Sequence, residues 1–234
     1  MQLEKVTNLT SGPGGAPRRW YDDACGTAHA LELVGERWSL LILREMMFGP
    51  RRFGDIRAAL PGLSANILTQ RLETLETHGL VERSKLPPPA SVQVYGLTPW
   101  GYEADQLLIV LGRWAARSPG HDPTLPLSKT SLMLSFRTMF QAGMAGDADM
   151  TVGFQLDDET FRVRIDHGVL VPERGGIDDA GVTFITTPEA MAAYVYGKVP
   201  LEALEAGGGV RIAGDRALAV TFQTFFALPP KAGA

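Results

Sequence analysis

The sequence predicts an α+β protein. A helical first part ends in a two-stranded wing, and a second part carries a mostly antiparallel sheet with flanking helices. Changes in hydrophobic periodicity support this prediction. Apolar residues recur at helical spacing up to Gly79 and alternate with polar residues directly after it. In the second part, strand-like and helix-like stretches come in separate runs, which is typical of α+β folds.

The chain has 234 residues, enough for two domains that each bury a core. We expect a disordered Gly- and Pro-rich lead over residues 1–18, a first domain over 19–118 and a second over 128–234. No run of about 18 apolar residues exists, so no membrane span is expected. The start of the chain lacks a secretory pattern, and one cysteine fits a reducing compartment, so the expected location is cytoplasmic.

Two predicted helices with a tight turn between them form the centre of the first domain. The first covers residues 53–60 and is stopped by Pro61 and Gly62. Ser64 is placed to cap the second helix, whose leucines at helical spacing predict a buried face. Gly79 ends that helix as a left-handed cap would. A helix–turn–helix with one apolar face and one polar face is typical of DNA-binding proteins.

Two extended runs and a long helix follow. Residues 80–85 and 92–95 alternate as strands on either side of a proline-rich loop, which predicts a β-wing. Thr98 and Pro99 then begin a long helix with an apolar stripe.

The polar face of the second helix carries the side chains expected to contact bases. Asn66 and Gln70 can form paired hydrogen bonds with the edge of an adenine. Ala65 and Thr69 can contact a thymine methyl group. Ser64, together with the helix N-terminus, can hold a phosphate.

Basic residues around this unit are expected to contact the DNA backbone. Arg51 and Arg52 precede the first helix and are candidate phosphate contacts. Arg83 and Lys85 lie at the root and side of the wing, where phosphate or the minor groove is within reach. For Arg71 two interpretations stay open, a phosphate contact or an ion pair inside the fold. The alternative for the whole set is a solvated charged face.

The second part has a different charge and pattern. Residues 121–234 contain 9 Lys and Arg against 14 Asp and Glu, so this part is expected to have a task other than DNA binding. We expect a helix over residues 128–145, a hairpin whose turn is Asp157 and Asp158, and a last helix over residues 217–228.

No catalytic or metal-binding motif is present. The four histidines lack metal-ligand spacing, and Gly207, Gly208 and Gly209 are not followed by the Lys and Ser or Thr of a phosphate loop. We therefore expect no enzymatic activity, no cofactor and no metal.

Aromatic residues of the second part allow two interpretations, a plain hydrophobic core or the lining of a ligand pocket. The candidates for such a pocket are Phe136, Phe140, Phe154, Phe161, Phe184, Tyr194, Phe222 and Phe226.

The first part resembles the HxlR family of bacterial winged helix–turn–helix regulators, which are relatives of the MarR group. The resemblance implies sequence-specific binding to double-stranded DNA by a homodimer that recognises a pseudo-palindromic operator. It also implies that the N-terminal helix and the helix over residues 98–117 pair the subunits. Gly26, Arg37 and Gly96 depart from the family pattern. The resemblance rests on Cys25, residues 33–38, 41–45, 49–53, Ile56, Leu63, Ser64, 68–72, Leu75, 79–81, Arg83, Tyr95, Leu97, Thr98 and Gly101.

The second part is similar to a type 2 sterol-carrier-protein domain. This similarity implies an apolar tunnel for a lipid-like or other hydrophobic effector, or else a module used only for dimerisation or docking. It rests on residues 163–168, 183–187, Gly197, Lys198, Leu201 and 209–215.

Cys25 also has two interpretations. A cysteine at this position is a redox or electrophile sensor in some members of the family, and a thiol near a helix N-terminus has raised reactivity. The neighbouring Asp22 and Asp23 disfavour a thiolate, and the alternative is a small buried residue. Our leading hypothesis is a regulator that senses a hydrophobic molecule. The alternatives are a regulator with a purely structural second domain and, less favoured, a lipid carrier.

Overall fold

The structure is a computed structural model that describes residues 21–87, 89 and 91–233. The lead predicted over residues 1–18 lies outside the described residues. The chain divides into two compact units, Met1–Arg37 and Trp38–Ala234. The described part of the first unit contains one helix, α1 (Gly26–Val34).

The second unit opens with helices and a wing. α2 is central to their packing, as its apolar sequence predicts, because Ile42 and Leu43 are fully buried. The two strands of the wing are antiparallel, with Val81 opposite Leu97. The elements are α2 (Ser39–Glu45), α3 (Phe53–Ala59), α4 (Ala65–Thr77), β1 (Val81–Lys85), β2 (Gln93–Leu97) and α5 (Pro99–Ala116).

The helix ends predicted from local chemistry are confirmed. The Ser64 hydroxyl accepts a hydrogen bond from the backbone N–H of Ile67 at 3.3 Å and so caps α4. Gly79 follows α4 with a φ of +72°, a conformation that glycine adopts without steric cost. The Thr98 hydroxyl accepts a hydrogen bond from Gly101 at 3.0 Å and caps α5.

The rest of the second unit is a five-stranded sheet with helices. The sheet has the order β5-β4-β3-β6-β7, in which only the β3–β6 pair is parallel, so the prediction of a mostly antiparallel sheet is confirmed. The elements are α6 (Lys129–Met139), α7 (Ala142–Ala145), β3 (Asp149–Leu156), β4 (Glu159–Asp166), β5 (Val169–Arg174), β6 (Val182–Thr186), α8 (Pro188–Val195), α9 (Leu201–Ala206), β7 (Val210–Gly214) and α10 (Arg216–Thr224).

Two helix predictions were too long. The helix expected over residues 128–145 is broken between α6 and α7, and the one expected over 217–228 ends at Thr224. Both changes have one cause, an isolated β-bridge between Phe140 and Phe226. The backbone N–H of Gln141 donates to the carbonyl oxygen of Phe225 at 2.8 Å beside it. This long-range backbone pairing replaces helical hydrogen bonds in both segments.

The sheet and its helices share one hydrophobic core. Alternate residues of β3 and β4 are buried on the same face, and the strand register places Phe154 opposite Phe161 and Val152 opposite Val163. Among the residues that the structure describes, no helix has both the length and the apolar character needed to cross a membrane.

Candidate nucleic-acid interface

Helix α4 has one apolar face, which is buried, and one polar face, which is exposed. Its leucines Leu68, Leu72 and Leu75 are buried. Asn66 and Gln70 are exposed four positions apart, so they lie on the same side of the helix. The sequence-predicted side chains are therefore at the surface, in the N-terminal half of the helix, where a major groove could be contacted.

The other residues predicted on α4 are arranged around this pair. Thr69 is exposed, and its hydroxyl donates to the backbone carbonyl oxygen of Ala65 at 3.0 Å. This bond uses the hydroxyl hydrogen of Thr69 within the helix. Ala65 and Arg71 are half-buried.

Two of the predicted basic residues, Arg52 and Lys85, are exposed at the surface. Arg52 lies at the N-cap of α3, where its backbone N–H donates to the Asp55 carboxylate at 3.4 Å. Lys85 is exposed at the end of β1.

Arg83 is held at the root of the wing. Its Nη2 atom donates to the Glu76 carboxylate of α4 at 3.0 Å, and its guanidinium lies 5.4 Å from the ring centroid of Tyr95. The ion pair and the ring contact fix this charge between the wing and α4.

Arg51 lies elsewhere than expected. The structure places its guanidinium against Glu159, the first residue of β4, in a partly buried ion pair and not on an open surface. Backbone bonds of 2.8 Å in both directions also join Arg51 to Tyr95 of β2. The sequence predicts a phosphate contact for Arg51, because its ion-pair partner lies 108 positions away and no residue near Arg51 indicates it.

A second buried ionic group, centred on Glu45, is not predicted by the sequence. Glu45, on α2, has a side chain only 1% exposed. Its Oε1 atom accepts hydrogen bonds from Arg44 at 2.7 Å and from the Ser128 hydroxyl at 2.8 Å. The available signal was an acidic residue inside a helix that is otherwise apolar almost all round.

The candidate pocket aromatics form one packed cluster. Seven of the eight are buried and Phe140 is half-buried. Phe154 and Phe184 are stacked with centroids 5.5 Å apart, and Phe222 and Phe226 are 4.8 Å apart. These distances are those of mutual ring packing. The arrangement agrees with the interpretation of these residues as a plain hydrophobic core.

The hydroxyl group of Tyr194 is a polar group within this cluster, and it has a hydrogen-bond partner. Its hydroxyl donates to the carbonyl oxygen of Ala219 at 2.9 Å. Burial raises the pKa of the Tyr194 hydroxyl to about 12, so the group stays protonated and keeps this donor role at neutral pH.

Cys25 precedes α1 and is exposed, unlike the buried residue that one interpretation predicts. Hydrogen bonds from Thr27, with a further one from the backbone of Ala28, lower the pKa of its thiol. Its own backbone N–H donates to the Asp23 carboxylate at 2.9 Å.

Helix α5 has an uncovered apolar face. Val110 and Trp114, four positions apart, are 66% and 70% exposed. Leu107 and Leu111 add to the same region and are also exposed. An apolar surface of this kind is typical of an interface with another protein surface.

The described residues contain no cluster of three or more His, Cys, Asp or Glu side chains able to hold a metal ion. No predicted site residue therefore gains a metal-binding role.

Two family models match the chain. The HxlR-like helix-turn-helix model matches residues 33–122, and the alkyl sulfatase C-terminal model matches residues 130–231. The first range contains α2 to α5 and the wing, and the second contains the sheet. The second match does not establish the sterol-carrier similarity, which stays a prediction.

Curated relatives match the first range. The chain is 41% identical over 87 residues to an HTH-type transcriptional regulator of Synechocystis, which is 37% of this chain and 64% of that relative. It is 36% identical over 86 residues to the regulators YvaP and YodB of Bacillus subtilis, which is 37% of this chain and 80% and 77% of theirs. The solved structure of reduced YodB aligns at 33% identity with a TM-score of 0.38, over 42% of this chain and 98% of that one.

Proposed function

Because the chain belongs to the HxlR-like helix-turn-helix family of DNA-binding transcriptional regulators, we propose that it binds a pseudo-palindromic operator as a homodimer. The observation that carries this proposal is the exposed polar face of α4 behind which three leucines are buried. In this proposal the N-terminal half of α4 lies in the major groove. A bacterial transcriptional regulator acts on chromosomal DNA, which lies in the cytoplasm, so this is the proposed location.

The proposed contacts divide into base recognition and positioning. Asn66 and Gln70 hydrogen-bond to base edges, and Ala65 and Thr69 contact thymine methyl groups. The phosphate contacts come from Ser64, Arg52, Arg71, Arg83 and Lys85. Arg51 joins this set only when its pair with Glu159 opens.

A homodimer supplies the second half-site. A single module of this size buries too little surface for tight and specific binding, whereas two related by a two-fold axis recognise two half-sites. The exposed apolar face of α5 supports this part of the proposal, since pairing would cover Val110 and Trp114.

The proposed role of the second domain, residues 128–234, is to sense a hydrophobic small molecule. Ligand binding there would favour one dimer geometry over another and so change operator affinity. Its support is the aromatic-rich interior and the similarity to sterol carriers. The proposal includes no enzymatic activity, in line with the regulators that match the first domain.

One observation favours a second candidate, in which this domain is only structural. The rings of the aromatic cluster contact one another directly, as in a packed core. A ligand would have to displace them. In this version the exposed thiol of Cys25, with its lowered pKa, is the candidate switch.

Sequencing of genomic fragments bound by the purified protein tests DNA binding. We expect enrichment of fragments that share a palindromic motif, with affinity that falls steeply as salt rises. Enrichment no different from that of a control pull-down without the protein would contradict the proposal.

Native mass spectrometry of freshly purified protein separates the two roles of the second domain. A lipid-like mass bound to the dimer supports sensing. An empty protein that also fails to bind the apolar dye 1-anilinonaphthalene-8-sulfonate supports the structural role. Whichever of these two results is obtained, the interpretation of the DNA-binding test is unaffected.

A further inference from the structure

The segment that follows α10 turns back to the end of α5. Residues 227–231 belong to no helix or strand and include two prolines, which favour extended backbone. The backbone N–H of Ala227 donates to the carbonyl oxygen of the last residue of α6 at 3.4 Å. Further along, the backbone N–H of Ala232 donates to the carbonyl oxygen of Arg117, directly after α5, at 2.7 Å. We call residues 228–232 the strap.

A lysine of the strap caps the C-terminus of α5. The Nζ atom of Lys231 donates to the carbonyl oxygens of Ala116, Ser118 and His121 at 3.1, 3.0 and 3.4 Å. The last carbonyls of a helix carry a partial negative charge, so a cation stabilises this end. The cation that caps α5 therefore comes from 115 positions further along the chain.

The second domain also holds α5 at its middle. Both terminal nitrogens of Arg137, on α6, donate to the Asp105 carboxylate of α5 at 2.7 Å. One turn before the end of α5, Gly112 lies against Thr138, which a Cβ atom at position 112 would approach to 3.6 Å. The middle of α5 is thus held by α6 and its end by the strap, through separate contacts.

The helix held in this way is the one whose apolar face is uncovered. Trp114 lies in the last turn of α5 and is 70% exposed. Its carbonyl oxygen accepts a hydrogen bond from the backbone N–H of Arg117 at 3.2 Å, in the turn that Lys231 caps. Because helices open first at their ends, loss of the cap would disorder the turn that carries Trp114 before it affects the middle of the helix.

We propose that the strap controls subunit pairing through the end of α5. When docked, it keeps the last turn ordered and Trp114 in the position that pairs; when released, it lets this turn fray. Movement of α10 that displaces the strap would then weaken pairing and, with it, operator binding. The link to pairing rests on the homodimer proposed above, whereas the capping of α5 does not.

Hydrogen exchange of the full chain without DNA, measured on peptides by mass spectrometry, tests the cap. Lys231→Met removes the ammonium group and keeps the strap backbone. Exchange over residues 113–121 should accelerate about fivefold, the effect typical of losing a cation at a helix C-terminus. Exchange over residues 101–110 should stay parental, because Arg137 still holds Asp105. Parental exchange over 113–121 would overturn the proposal, and so would equal acceleration throughout the chain, which indicates global destabilisation.

Two further variants separate the cap from a general effect of charge. Lys231→Arg keeps a cation in the strap and should retain most of the parental protection over residues 113–121. Arg211→Met removes an exposed cation on β7 and should exchange as the parent does. Acceleration over 113–121 in Arg211→Met as large as that in Lys231→Met would overturn the assignment to the cap.

Sedimentation equilibrium of the full chain tests the link to pairing. The dimer dissociation constant of Lys231→Met should exceed that of the parent about fivefold, because fraying of the α5 end opposes pairing. An unchanged constant in a variant whose α5 end exchanges faster would overturn the link and leave the proposed function intact. A monomeric parent would overturn both the homodimer and the link, while the exchange measurement still decides whether the strap caps α5.

Discussion

Arg51 and Glu159 form a two-point ion pair across 108 positions of sequence. Nη1 of Arg51 lies 2.5 Å from Oε2 of Glu159, and Nη2 lies 3.2 Å from Oε1. The two side chains are only 12% and 17% exposed. Nε of Arg174 lies 3.0 Å from the same carboxylate, and Nζ of Lys129 lies 3.7 Å from it. This one carboxylate therefore joins the segment before α3 to the sheet.

Glu159→Gln should lower the free energy of unfolding by about 3–5 kcal/mol, because it removes the carboxylate that both Arg51 and Arg174 contact and leaves their mutual repulsion less balanced. Urea denaturation measures the change. The matched control is Glu173→Gln, which breaks a solvent-screened surface pair with Arg162 and should cost far less. Equal losses in the two variants would show that the buried pair adds no special stability.

The same pair predicts a pH dependence. Burial of Glu159 opposes its charge, but the hydrogen bond and charge of Arg51, helped by Arg174 and Lys129, outweigh burial and hold the pKa of this carboxyl below its usual 4.5. As the pH falls, Glu159 therefore binds a proton in the unfolded chain before it does so in the folded chain. The stabilisation is complete above about pH 4.5 and is lost as the pH falls through the lower pKa of the folded state.

The stability difference between the parent and Glu159→Gln should therefore shrink on acidification. Urea titrations at about pH 6 and about pH 3 measure it. A difference that stays constant over this interval would mean that the pKa of Glu159 is not lowered by folding.

Asn66→Ala and Gln70→Ala should each reduce the preference for operator over random DNA by about 1–3 kcal/mol, because each removes hydrogen bonds to a base edge. Competition binding with random duplex measures this preference. Lys85→Ala is the comparison, since loss of a phosphate contact weakens binding to all sequences and lowers the salt slope by about 1. Unchanged preference in both amide variants would refute their role in base recognition.

If the chain is the proposed homodimer, the double substitution of Val110→Glu and Trp114→Glu should convert it to a monomer, because it places charge on the apolar face of α5. Sedimentation equilibrium measures the mass. Val220→Glu is the control, because Val220 is an exposed apolar residue on α10 and lies outside the proposed interface. This variant should have the same mass as the parent. A doubly substituted chain that still sediments as a dimer would exclude α5 from the interface.

Gly101→Ala should destabilise the fold by about 3 kcal/mol or more, because a Cβ atom there would lie 2.0 Å from the backbone oxygen of Leu80, which cannot rotate away. Thermal and urea unfolding measure the effect. Gly112→Ala is the control in the same helix, since its Cβ would meet only Thr138 at 3.6 Å and should be neutral or stabilising by up to about 1 kcal/mol. Similar behaviour of the two variants would refute the close contact at Gly101.

The elements predicted correctly are those whose signals are local. Ser64, Gly79 and Thr98 end or begin helices through contacts within a few residues, so their chemistry is visible in the sequence. Periodicity likewise predicted the buried face of α4 and the strands β3 and β4.

The features that sequence reasoning missed depend on distant partners. The break after α6 and the early end of α10 follow from backbone pairing of Phe140 with Phe226. The ion pair of Arg51 with Glu159 likewise has no local signal. Aromatic residues on alternating positions predict burial, but the same pattern suits a core or a pocket wall, because both are apolar.

The central position of β3 has a consequence for biosynthesis. Its antiparallel neighbour β4 follows at once, but its parallel neighbour β6 begins only at Val182. During translation a nascent chain can form the β3–β4 hairpin while the other edge of β3 stays unpaired until Thr186 has emerged. An unpaired edge with Val152 and Phe154 is a template for pairing with another chain. During the interval between synthesis of these two strands, a ribosome-bound chain therefore presents an open strand edge to neighbouring nascent chains.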